Sequence, residues 1–207
     1  MKYKYKTIFS DELQASEKDV KNNKFTSEAS LEQLKDLVPS DIDFERNIDL
    51  IGVAFNAAVI NQFNKNGDGI DTATARAIKD YFVHKPTNIE HNKKKIVGHI
   101  VSSAFSRSYN DEVFDLRDSE TDMPFNLALG AVIYSNANQE FADLVTRSVN
   151  QEDEMYQAVS ASWELGFNDY IIAAGSKKLS EAELITNQKH IEELSEYLTA
   201  FDGEGEM

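Results

Sequence analysis

A mixed α+β chain with a strand-rich core is the fold class this sequence predicts, on three observations. Short apolar, β-branched runs recur at 48–61 (IDLIGVAFNAAVIN), 96–105 (IVGHIVSSAF) and 127–135 (LALGAVIYS), the signature of strands buried on both faces. Segments with helix-spaced apolar residues follow the first and the third of them, at 72–82 and 140–149. A strictly alternating stretch, 159–167, reads as a half-buried strand.

Taken in order, residues 1–47 form a polar N-terminal segment, with one modest helical pattern at Leu31, Leu34 and Leu37 that Pro39 ends. The core, 48–175, starts where the charge thins out at Ile48. Its first run is followed by NKNGDGID, where Asn-Gly and Asp-Gly favour a tight turn because Gly and Asn accept positive φ. TATARAIKDYF is the helix that follows, with Thr72 as the expected N-cap. The strands from Ile96 and Leu127 flank a polar loop. Phe141, Leu144, Val145 and Val149 mark the second helix, and MYQAVSASWELGF and YIIAA return to strand character. Residues 176–207 are an acidic helical tail, with three Lys against eight Asp or Glu and apolar positions at Leu179, Leu184, Ile191, Leu194 and Leu198. The closing DGEGEM has the composition of a disordered end.

The chain has 207 residues, 41% of them hydrophobic, which suits one globular domain. Lys and Arg total 21 against 36 Asp and Glu, a net charge of -15, which disfavours a nonspecific grip on nucleic acid or an anionic membrane. The absence of cysteine excludes a disulfide framework, a thiolate zinc site and a Cys nucleophile. MKYKYKTIFSDELQ lacks the apolar core of a secretion signal, and no run approaches the length of a membrane span.

Chemistry has few candidate carriers. NKNGDGID places Asn64, Asn66 and Asp68 at alternating positions with Gly69 at the sharp turn, like a calcium loop, but the twelfth position is Ala75 rather than a bidentate Glu. A connecting turn is the better reading, and no metal is expected. The histidines are His84, His91, His99 and His190, and their spacing fits no two-histidine zinc helix. His99 shares a strand face with Val97, Val101 and Phe105, as a core histidine satisfied locally would. His190 lies on the acidic helix, where solvation explains it. His91 stands between KPTNIE and the turn NKKK, at a loop edge of the kind that often holds catalytic groups. On the alternating strand, Val159, Ala161, Trp163, Leu165 and Phe167 share one face, while Ser160, Ser162 and Glu164 share the other. A serine on a rigid strand beside an imidazole can act as a nucleophile. The bland alternative is a half-exposed strand with small polar residues.

Taken together, KPTNIEHNKKKIVGHI at 85–100 and VSASWELGF at 159–167 resemble the two signature regions of the prohead (capsid maturation) serine proteases of tailed bacteriophages. That family has a histidine in an asparagine-rich context shortly before an I-[IV]-G-x-I strand, matched by Asn88, His91, Ile96, Val97, Gly98 and Ile100. It has a later S-x-[GE] strand, matched by Ser162 and Glu164. AFNAAVINQFNKNGDGIDTATA also looks like the family's segment before the histidine, so the resemblance spans about 50–172.

The resemblance implies a fold similar to the herpesvirus assembly proteases, a strand-rich barrel or closed sheet wrapped by helices. It implies a serine endopeptidase with His91 as general base, Ser162 as nucleophile and backbone N–H groups on the oxyanion. Ser160 is the rival nucleophile, but Ala161 and Ser162 follow it and break the S-x-[GE] pattern. For the third catalytic member, the related herpesvirus enzymes use a second histidine after the serine, where this chain has only His190. Glu90, His99 and Asp169 are the other residues able to orient the imidazole. No cofactor is implied. The substrates would be phage scaffold and major capsid proteins, inside the prohead assembling in the host cytoplasm, with no nucleic-acid or membrane partner and self-association left open. Lys85, Lys93, Lys94, Lys95 and Arg107 against Glu90 make 84–107 locally basic, which would favour acidic side chains near the scissile bond. The tail carries LSE at 179–181, IEE at 191–193 and LSE at 194–196, sites at which self-cleavage would follow the [LI]-x-E pattern of some such enzymes. The competing reading is a non-enzymatic capsid or scaffold assembly protein on the same fold.

Overall fold

The three apolar runs become the long strands of one antiparallel sheet. A computed structural model describes residues 3–14, 37–39, 41–64, 67–107, 112–116, 123–148, 150, 152–176 and 178–195. The strands of the main sheet are β1 (Tyr5–Gln14), β2 (Leu50–Ile60), β3 (Pro86–Asn88), β4 (Ile96–Arg107), β5 (Val113–Phe114), β6 (Phe125–Tyr134) and β7 (Ser160–Phe167). Their order across the sheet is β3-β4-β6-β2-β1-β7, with β5 on the far end of β4. Helix α1 (Thr72–Ile78) runs into a 3₁₀ turn at Lys79–Tyr81, and α2 is Gln139–Ser148. A separate hairpin, β8 (Ile172–Ala174) with β9 (Glu183–Ile185), and helix α3 (Gln188–Leu194) complete the described elements.

The mixed α+β class is what the sequence predicts, and β6 shows why it forms. Nine consecutive residues of β6, from Phe125 to Ile133, are buried, because β4 and β2 flank it and both its faces are covered. Leu127, Leu129, Val53, Ile60 and Val145 are among the most deeply buried side chains. On the other face Leu37 closes a small cluster with Ala54 and Ala128, and its carbonyl accepts a hydrogen bond from Ser102 Oγ. Leu31, Leu34, Asn66, Val149 and Leu198 lie outside the described residues.

Several expectations are corrected. Residues 5–14, read as part of a polar leading segment, are a full strand that joins β2 to β7. The signal was in YKYKTIF, where Thr7 and Phe9 are buried and Lys4, Lys6 and Ile8 are exposed, an alternation of period two. Asp71, not Thr72, caps α1: its carboxylate accepts from the Thr74 N–H at 2.6 Å. Thr72 is turned inward to Asn61, whose Nδ2 donates to Thr72 Oγ1 at 2.9 Å. In β4 a bulge between Ile100 and Ser102 breaks the expected alternation, so Ile100 rather than Val101 joins the buried core with Val97 and Phe105. The tail is not one helix: Leu179 lies in a 3₁₀ turn, Leu184 in β9 and Ile191 in α3. No closed barrel forms, since among the described residues no ladder joins β3 to β7.

Candidate active site

The two ends of the sheet nonetheless meet. β3 is one end of the strand order and β7 the other, yet His91, three residues past β3, has its Nε2 2.8 Å from Ser162 Oγ in the middle of β7. Curvature of the sheet brings the ends together, and side chains rather than a backbone ladder bridge them.

His91 is presented by a tight hairpin connection. The Asn92 N–H donates to the Ile89 carbonyl at 3.0 Å, and both residues between them, Glu90 and His91, have positive φ (52° and 53°). Positive φ at both central positions belongs to the mirror-image turns that match the twist of paired strands. The Ile89 N–H donates to the Lys95 carbonyl, the Lys95 N–H to the Asn92 carbonyl, and Asn92 Oδ1 accepts from the Lys94 N–H. Asn92 thus organises the second half of the turn. Glu90 does not adopt positive φ freely, so the surrounding hydrogen bonds hold roughly 1–3 kcal/mol of strain there, whereas histidine visits this region more readily. The two-residue turn fixes the backbone from which the imidazole projects.

Ser162 is presented by the alternation the sequence displays. Val159, Ala161, Trp163 and Leu165 pack on the core, while Ser160, Ser162 and Glu164 are exposed on the outer face. Ser162 pairs with Ser10 and Glu164 with Ile8 across the β1–β7 ladder. Lys6 Nζ meets Glu164 Oε1 at 2.7 Å on that same face. β1 therefore contributes to the surroundings of Ser162, and its only sequence signal is the alternation of Tyr5–Phe9. Ser160 is one step along the outer face and pairs with Glu12; it is Ser162 that bonds His91.

The remaining histidines are engaged elsewhere or solvated. His99 Nδ1 is 2.6 Å from Tyr134 Oη, the local satisfaction expected of it. His190 is exposed on α3, and His84 is exposed at a positive-φ position before β3. Asp169 Oδ1 accepts from the Tyr170 N–H. Among the described residues none of Glu90, His99, Asp169 or His190 hydrogen-bonds His91, so the geometry is a Ser–His pair. Of the basic cluster, Lys93, Lys94 and Lys95 share the His91 turn, whereas Arg107 is at the far end of β4 beside Glu112 and Phe114. The calcium-like segment folds as a turn: Asn64 N–H donates to the Asp68 carbonyl, Thr7 donates to the Asp68 carboxylate, and Ala75 is fully buried in α1. Within IEE 191–193, Ile191 is only 2% exposed while Glu192 and Glu193 are exposed.

A hydroxyl and an imidazole at this separation can do acyl-transfer chemistry. With the imidazole neutral and its proton on Nδ1, Nε2 accepts the Ser162 O–H, takes that proton as Oγ attacks a carbonyl, and returns it to the departing amine. The chain matches no family model, no curated protein and no solved structure.

Proposed function

We propose that this chain is a serine endopeptidase in which Ser162 is the nucleophile and His91 the general base. One observation carries the reading: two residues 71 positions apart, singled out together by their motifs, have Oγ and Nε2 2.8 Å apart at the meeting of the two sheet ends. Ser162 Oγ forms an ester with the substrate acyl group as the peptide C–N bond breaks and His91 protonates the amine. Water, deprotonated by His91, then attacks the ester, and the proton returns to Ser162. The likeness of both segments to prohead proteases supports scaffold and capsid proteins as substrates, cut within the assembling prohead, on an assemblin-like variant of the strand-rich α+β fold.

The test is incubation of wild type, Ser162→Ala, Ser160→Ala and His91→Ala with the cognate scaffold protein, read by intact mass. Cleavage that survives Ser160→Ala and disappears in the folded Ser162→Ala and His91→Ala variants is expected. A wild type that leaves scaffold intact under assembly conditions overturns the reading in favour of a non-enzymatic assembly protein.

A further inference from the structure

Trp163 is the only tryptophan in the chain, and three contacts fix it. Its Nε1–H donates to the Ala57 carbonyl at 2.8 Å. Its ring stacks on Phe9, its cross-strand neighbour in β1, at 4.9 Å and 20°. It also meets Phe82 in a T-shaped contact, at 4.8 Å and 79°. The Ala57 carbonyl is available because β2 bulges there: Asn56 pairs with Ala128 and Ala58 with Leu127, which leaves Ala57 without a partner in β6. A buried carbonyl set free by a bulge requires a donor, and the indole supplies it. Phe82 sits just before β3, on the segment that ends in the His91 turn.

Ser162 and Trp163 therefore work as a unit on opposite faces of β7. Outside, Ser162 touches His91; inside, Trp163 touches Phe82. Both span the same junction between β7 and residues 82–92, where the described residues form no backbone ladder. Without a ladder, side chains set the separation of the two sheet ends, and the inner one is the better anchored.

We propose that Trp163 is a positioning residue for the Ser162–His91 pair: anchored on Ala57 and packed against both Phe9 and Phe82, it sets the distance of β7 from the His91 turn. The geometric part stands without catalysis, and the kinetic part rests on the peptidase reading above.

The test compares wild type with Trp163→Phe, which keeps an aromatic ring and loses the N–H, and with benzothienylalanine at 163, which keeps the indole shape and loses only the donor. The first readout is independent of activity: the His91 ring resonances are followed by NMR at fixed pH with and without Ser162→Ala in each background. Ser162→Ala is expected to displace those resonances in wild type and to displace them less than half as far in the position-163 variants. An equal displacement in all folded backgrounds overturns the proposal. The second readout is phosphorylation of Ser162 by diisopropyl fluorophosphate alongside peptide kinetics. A misplacement of this kind is expected to lower labelling and kcat by roughly 10- to 100-fold while KM stays nearly constant. Labelling and kcat equal to wild type in a folded variant also overturn it. A wild type that shows the NMR coupling but no labelling sinks the peptidase reading and leaves the positioning role supported.

Discussion

Gly98 lies against the carbonyl of Val132 where β3, β4 and β6 run side by side, so that a β-carbon on Gly98 would run into that carbonyl and come within 2.9 Å of Thr87 Oγ1. The glycine of the IVGHI run is thus a packing requirement of the strands that hold the His91 turn. Gly98→Ala is expected to destabilise by roughly 1–3 kcal/mol or more, since backbone cannot yield as a flexible side chain does. Thermal unfolding checks this; an unchanged melting temperature would contradict the close approach.

Asn61 should be intolerant of substitution for two separate reasons. It has φ +60° and is 4% exposed, and its side chain serves the Thr72 N–H, Thr72 Oγ1 and the Met123 carbonyl. Asn61→Ala loses these bonds and places a residue poorly suited to positive φ, costing about 2–4 kcal/mol. Asn61→Gly relieves only the backbone and should recover about 1 kcal/mol of that loss. Denaturant melts of the pair separate the contributions, and equal stability of the two variants would show that the backbone does not matter.

The alternation of 159–167 was legible because β7 buries one face and wets the other, and that alternation placed Ser162 outward and Trp163 inward. The same physics operates in Tyr5–Phe9, where Lys4 and Lys6 mask the alternation by giving the segment a solvated composition. The cap of α1 went to Asp71 because Thr72 is claimed by Asn61, a tertiary contact that propensity cannot see. The approach of His91 to Ser162 was readable only as paired motifs; the curvature behind it comes from long-range packing, such as Trp163 on Phe82, with no local signature. No orienting partner for His91 could be chosen from Glu90, His99, Asp169 and His190 because all four are chemically suitable and only position separates them.

Burial of Asp68 pushes its carboxyl above the ordinary carboxylate value, and the hydrogen bond from Thr7 offsets this only in part. With the folded pKa raised, the folded state holds the proton more tightly than the unfolded chain does. The Asp68 contribution is therefore present at low pH and lost as pH rises through the raised folded value. Asp68→Asn keeps an acceptor for Thr7 and removes the titration. The variant should be the more stable protein at neutral pH, with its advantage shrinking as pH falls through the carboxylate range. Melting temperatures of both proteins across pH 3–7 check this, and a difference that is independent of pH would rule out Asp68 as the source.

Charge at the His91 turn leads to a prediction about substrates. Lys93, Lys94 and Lys95 are exposed and follow His91 after Asn92, while Lys6 on the adjoining face of β1 is already paired with Glu164. The three lysines are the cations on the His91 turn itself, and in a chain of net charge -15 they give that turn the opposite sign to its surroundings. An acidic peptide cut at Ser162 would gain from them during approach and binding, before bonds to the reacting carbonyl change. Replacing all three with alanine should raise KM for such a peptide roughly fivefold at low salt and leave kcat almost unaltered. Because the charges are exposed, screening should erase the difference between about 0.05 M and about 0.5 M salt. A fall in kcat at constant KM would instead mean that the substitutions disturb the turn and with it the placement of His91, and a salt-independent loss would point the same way.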